Sequence, residues 1–113
     1  MISGRAIDYI MQAVDAEENV AISEYGLFHS NHEAWAVLRE EVEELCECLD
    51  DQEAMHHRLD LIWDKIRRDE TISEGDMMEI YNWAQRCAEE AVQVMAMIQK
   101  WGESVEQRKP EEG

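Results

Sequence analysis

A chain of 113 residues with 45% apolar content is long enough for one domain with its own core, yet small enough to gain from pairing with a second copy. Its 27 acidic against 10 basic residues, a formal charge of −17, exclude a general electrostatic footprint on nucleic acid or on an anionic membrane. No run approaches the roughly 18 apolar residues that span a bilayer, and the N-terminus lacks the layout of a signal peptide, so the cytoplasm is the expected compartment. The acidity leaves three explanations open: a solvated surface that confers solubility, a multi-carboxylate cation site, or mimicry of DNA phosphates to occupy a DNA-binding protein.

Pro110 is the one proline, and the few glycines fall mostly at candidate helix ends, so nothing punctuates the chain into strands and an all-α fold is expected. The first helix covers about residues 4 to 23, with Ile7, Ile10, Met11, Val14 and Ala21 on one side. Ser30-Asn31-His32-Glu33 has the pattern of a capping box and opens a second helix through about Glu47. Its apolar stripe is Trp35, Leu38, Val42, Leu45 and Leu49. Met55, Leu59, Ile62 and Ile66 repeat the rhythm, and Asp50-Asp51-Gln52 between them reads either as a turn or as the middle of one long helix. Ser73 and Asp76 mark the start of the last helix, which runs to about Trp101 with its cleanest stripe at Met77, Tyr81, Ala84, Ala88, Ala91, Met95 and Ile98. Residues 1–102 form a single domain, and the polar segment 103–113 reads as a disordered acidic tail. Cys46, Cys48 and Cys87 read as reduced, apolar fillers.

A second stripe on the last helix, Ile80, Trp83, Cys87, Glu90, Val94, Met97 and Trp101, contains one charged member. A carboxylate at Glu90 among apolar side chains needs a partner to replace lost hydration. On the second helix Val37, Glu41, Glu44 and Cys48 form a comparable flank, and Glu41 and Glu44, three apart, can aim at one point. The candidate explanations are a divalent cation held by carboxylates from two helices, a wet groove, or neutralisation by Arg39, Arg86 or Lys100. Hard oxygen donors favour Mg²⁺ or Mn²⁺ over zinc.

With Glu40-Glu41-Val42-Glu43-Glu44 as an EExxE motif and Glu90-Ala91-Val92-Gln93 in the place of a later ExxD motif, the sequence resembles the MazG-like, all-α nucleoside triphosphate pyrophosphohydrolases. The likeness covers about residues 20 to 101. Tyr25 to Glu33 and Glu90 to Met97 look like a compact branch of that superfamily. The resemblance implies a four- to five-helix bundle completed by dimerisation, as a homodimer or a dimer of dimers. It also implies hydrolysis of an NTP or dNTP to a monophosphate and pyrophosphate, with Mg²⁺ or Mn²⁺ held by Glu41, Glu44, Glu90 and Gln93. Glu40 and Glu41 would then be the catalytic carboxylates, Glu40 accepting a proton from the attacking water. Gln93 stands where the family has aspartate, which removes one negative charge, and the two motifs are spaced more widely than is usual.

Among other residues, His32 is weighed as a substrate contact against a capping or surface role. Phe28, Trp35, Trp63 and Trp83 can stack on a base or pack in the core. Lys65, Arg67 and Arg68 can meet phosphates or pair with neighbouring acids such as Asp64 and Asp69. Trp35, Trp63 and Lys65, with His32, are the expected substrate-binding set. Two further functions are a catalytically weakened nucleotide- or metal-binding protein on the same scaffold and the acidic DNA mimic.

Overall fold

Local hydrogen bonds set where each helix begins. Ser3 Oγ accepts from the Ala6 amide at 3.2 Å and opens α1, Gly4–Tyr25. It closes at Gly26, whose φ of 73° suits glycine and whose N–H reaches the Ile22 carbonyl at 2.7 Å. Ser30 Oγ accepts from the Glu33 amide at 3.1 Å and opens α2, Asn31–Asp50. The reciprocal arm of the expected box is replaced: the Glu33 carboxylate approaches His29 Nδ1 at 3.3 Å. Then come α3, Gln52–Arg67, and α4, Glu74–Gln107. The computed structural model describes residues 1–50 and 52–108, and among these there are four helices and no strand. Whether Asp50-Asp51-Gln52 is a turn or the middle of one helix is a question that falls on Asp51, outside the described residues.

The start of α4 is a full capping box: Ser73 Oγ accepts from the Asp76 amide and Asp76 Oδ2 accepts from the Ser73 amide, at 3.2 and 2.9 Å. Lys65 donates to both Asp76 oxygens at 2.8 and 3.0 Å, tying the end of α3 to α4. That ammonium, together with the Ser73 bonds, holds the Asp76 carboxyl down to about 2.

Helix α4 is the spine, about 51 Å long at 1.5 Å per residue. Each of α1, α2 and α3 packs on it. The buried cluster is small: Val14 from α1, Phe28 from the connecting loop, Ala34 from α2, and Ala96 and Met97 from α4, with Val37, Leu38, Val92 and Trp101 against it. The expected end of α4 near Trp101, with disorder from Glu103, is corrected by this end of the fold, because residues 103–107 are helical. Ser104 is 1% exposed; its hydroxyl accepts from the Phe28 amide at 2.9 Å and donates to the Lys100 carbonyl at 2.7 Å. Trp101 Nε1 and Arg108 Nη2 both donate to Asn31 Oδ1, clamping α4 to the first turn of α2. Residues 109–113 of the expected tail lie outside the described part.

Burial along α4 reverses the expected ranking of its stripes. The mixed stripe through Trp83, Cys87, Glu90, Val94, Met97 and Trp101 is buried or half-buried, whereas Met77, Tyr81, Ala84, Ala88, Met95 and Ile98 are exposed. On α1 only Val14 of the predicted stripe is buried, and on α2 Trp35, Val42 and Leu49 face solvent. The reason is geometric: α1, α2 and α3 pack on α4 and leave the face with Met77, Tyr81, Met95 and Ile98 uncovered.

Ser104→Ala should leave the Phe28 amide buried without a partner and cost about 1–3 kcal/mol. Denaturant unfolding checks this, and a loss below about 0.5 kcal/mol, the scale of an ordinary surface change, would contradict the bridging role.

Candidate metal centre

Helices α2 and α4 run antiparallel, and two hydrogen bonds set their register. Asn31 meets Trp101 at one end, and at the other Trp83 Nε1 donates to the Cys48 carbonyl at 3.0 Å. Position numbers rise along one helix as they fall along the other, so the middle of this pairing brings Glu41 level with Glu90. Glu44 lies one turn further along the same face of α2. One carboxylate oxygen from each of Glu41, Glu44 and Glu90 lies within 4.8 Å of the others. Glu41 and Glu90 are half-buried and Glu44 is exposed, so the trio opens to solvent on one side.

Crowding and dehydration both act on these groups. Burial, then the charges of Glu44 and Glu90, pushes the Glu41 carboxyl above the ordinary carboxylate range. Burial and then Glu44 do the same to Glu90, opposed in part by the Arg86 charge. No ion pair relieves the trio among the described residues. Arg39 pairs with Glu43 at 3.0 Å and lies 5.4 Å above Trp35; Lys100 is buried with its ammonium 4.2 Å from the Phe28 ring. Arg86 lies 5.5 Å above Trp83. Neutralisation by a direct cationic contact, one of the three explanations for these carboxylates, is therefore not what the side chains do. Three carboxylate oxygens within 4.8 Å of one another are the donor type that a hard divalent cation takes.

Beside the trio is a cavity of about 560 Å³ lined by Glu44, Glu47, Cys48, Trp83, Arg86 and Glu90. Cys48 is buried and faces Cys87, and burial followed by the Cys48 thiol pushes the Cys87 thiol up, as suits an inert, reduced pair. The contribution of Glu47 and Arg86 to this cavity escaped the sequence reading. The signal available was spacing, since Arg86 precedes Glu90, and Glu47 follows Glu44, by about one turn.

Other candidate residues stand at different distances from this centre. Glu40 is exposed and adjacent, and its charge adds to the upward push on Glu41. Gln93 lies one turn past Glu90 but donates its amide to Glu17 at 3.1 Å and lines a separate hollow between α1 and α4. His32 and Trp35 are exposed at the start of α2, in a shallow hollow with Asn31 and Trp101. Trp35 projects about 120° around the helix from Glu41. Trp63 is exposed on α3. Lys65 is held by Asp76, about 21 Å along α4 from Glu90. The structure does not bring these last four residues to the trio. A second acidic group, Asp15, Glu18 and Glu103, sits near Gln99, where burial and then Glu103 raise the Glu18 carboxyl.

A carboxyl whose folded value is raised stabilises the fold while protonated and costs stability as pH rises through that value. Metal-free protein should therefore lose thermal stability as pH rises above the ordinary carboxylate value of 4.5, and Glu90→Gln should flatten that slope and raise the metal-free melting temperature at about pH 7. Calorimetry across this range checks both; a slope of opposite sign would contradict the crowding. No family model, curated protein or solved structure matches the chain.

Proposed function

We propose that the chain is a MazG-like, Mg²⁺-dependent nucleoside triphosphate pyrophosphohydrolase that serves nucleotide-pool cleaning, with Mn²⁺ as an alternative ion. The observation that carries this reading is the convergence of Glu41, Glu44 and Glu90 from two helices onto one point. These three carboxylates would hold the cation, which when bound neutralises polyphosphate charge and acidifies water. Glu40, exposed beside Glu41, would accept the proton of the attacking water. Cleavage between the α- and β-phosphates then yields a monophosphate and pyrophosphate. Incubation with ribo- and deoxynucleoside triphosphates should release pyrophosphate only with Mg²⁺ or Mn²⁺, and Glu41→Gln should lower the rate about 100-fold or more. No turnover anywhere in the panel would contradict the activity.

The engagement of Gln93 with Glu17 favours a second reading, a nucleotide- or metal-binding protein on the same scaffold with weakened catalysis. Tight metal binding without turnover, with turnover gained in Gln93→Asp, would select it.

We also propose that the working form is a homodimer or a dimer of dimers in the cytoplasm. A single chain exposes 8702 Å², against about 6,400 Å² for a folded monomer of 13.2 kDa. Its radius of gyration is 19.4 Å against about 13 Å for a compact domain of this length. The excess area is well above the roughly 800 Å² per partner of an ordinary interface. A second copy covering Met77, Tyr81, Met95 and Ile98 would bring the exposed face of α4 into a shared core, with Ala84, Ala88 and Ala91 permitting close helix approach. Sedimentation equilibrium should give at least twice the 13.2 kDa of one chain. Met95→Glu combined with Ile98→Glu should dissociate it, and a monomeric wild type would contradict the proposal.

A further inference from the structure

The cavity next to the trio poses an electrostatic problem. Three of its lining residues, Glu44, Glu47 and Glu90, are carboxylates, and the whole chain carries −17, so a polyphosphate meets repulsion on approach. Its volume of about 560 Å³ falls in the range of small-ligand sites. Arg86 is the single cation among the lining residues.

Arg86 has acidic neighbours at helical spacing, Glu89 and Glu90, and shares the cavity with Glu44 and Glu47. Among the described residues it makes no ion pair with any of them, unlike Arg39, Arg58, Lys65, Arg67 and Arg68, each of which is paired. Its guanidinium lies instead over the indole of Trp83, which is itself fixed to α2 through the Cys48 carbonyl. Stacking on a ring holds the guanidinium plane while leaving its edge N–H groups for a bidentate acceptor. Arginine in this state is pre-organised for phosphate oxygens, which match its fork. Lys65, the lysine expected to meet phosphates, is committed to Asp76.

We propose that Arg86, held on the Trp83 platform, is the anion-binding arm of this cavity and takes a phosphate group of a polyphosphate bound against the Glu41–Glu44–Glu90 centre. The assignment rests on the metal-centre reading above and extends it to the substrate. Arg86 orients the phosphate chain and offsets the repulsion of Glu44 and Glu47; it transfers no proton and forms no bond to phosphorus.

The test is titration calorimetry with two probes, Mn²⁺ alone and then inorganic pyrophosphate added to Mn²⁺-saturated protein. Arg86→Gln should weaken pyrophosphate binding about tenfold or more, while Mn²⁺ affinity stays the same or tightens because a nearby positive charge is gone. Arg86→Lys should recover part of the loss, and Arg39→Gln, which stacks on Trp35 outside the cavity, should leave pyrophosphate binding unchanged. Full-strength pyrophosphate binding in Arg86→Gln overturns the role of Arg86 and leaves the metal centre standing, as does Mn²⁺ binding by a wild type that takes no pyrophosphate. A wild type that takes no Mn²⁺ overturns the metal centre and this assignment with it.

Discussion

Helices α1, α2 and α3 each lean on α4, and none has a comparable contact with another. The position of every functional side chain follows from how it registers on that 34-residue helix. For α2 the register is held at both ends, by Asn31 against Trp101 and Arg108 and by the Cys48 carbonyl against Trp83. The middle then has no freedom to slide, and the middle is where the glutamates meet. A one-residue slip would rotate the facing side chains by about 100° and separate the trio. Structural hydrogen bonds far from the carboxylates thus do the positioning, which lets the carboxylates themselves remain unpaired.

The fold accepts an electrostatic cost at that point. Two half-buried glutamates and one exposed one face each other without an arginine or lysine in ion-pair contact among the described residues, in a chain that has no shortage of charge-paired cations elsewhere. Burial and repulsion raise Glu41 and Glu90 together. A divalent cation bound there would couple metal binding to stability, because it would favour the folded form in which the three carboxylates meet. The same principle separates this place from the capping acids: Asp76 is pulled down by Lys65 and Ser73, so its charge is a source of stability.

Much of this was legible in the sequence and some was not. Ser30 and Ser73 do their work through bonds of three-residue reach, which is why these helix starts are visible in a linear chain. Glu90 stood out as the one charge in an apolar stripe, and Glu41 and Glu44 as a pair at helical spacing; all three meet. The face of α4 that carries the core was misjudged, because hydrophobic periodicity marks what water should leave but not which neighbour covers it. The most apolar stripe, from Met77 to Ile98, is the one a single chain leaves open. The length of α4 was underestimated because Ser104, Glu103 and Glu106 read as polar surface. The Phe28 amide that Ser104 satisfies lies 76 positions away, beyond the reach of any local pattern. Trp63 and Lys65 looked like substrate ligands by residue type alone, and type carries no information about a distance of about 21 Å along a helix.

A cation site at the three glutamates is tested most directly by the location of a bound ion. Crystals of the protein soaked in Mn²⁺, with diffraction recorded at the manganese absorption edge, should give an anomalous peak bounded by the carboxylates of Glu41, Glu44 and Glu90, absent in crystals of Glu90→Gln. A peak beside Asp15, Glu18 and Glu103 instead, or none at the trio in well-occupied crystals, would contradict the account.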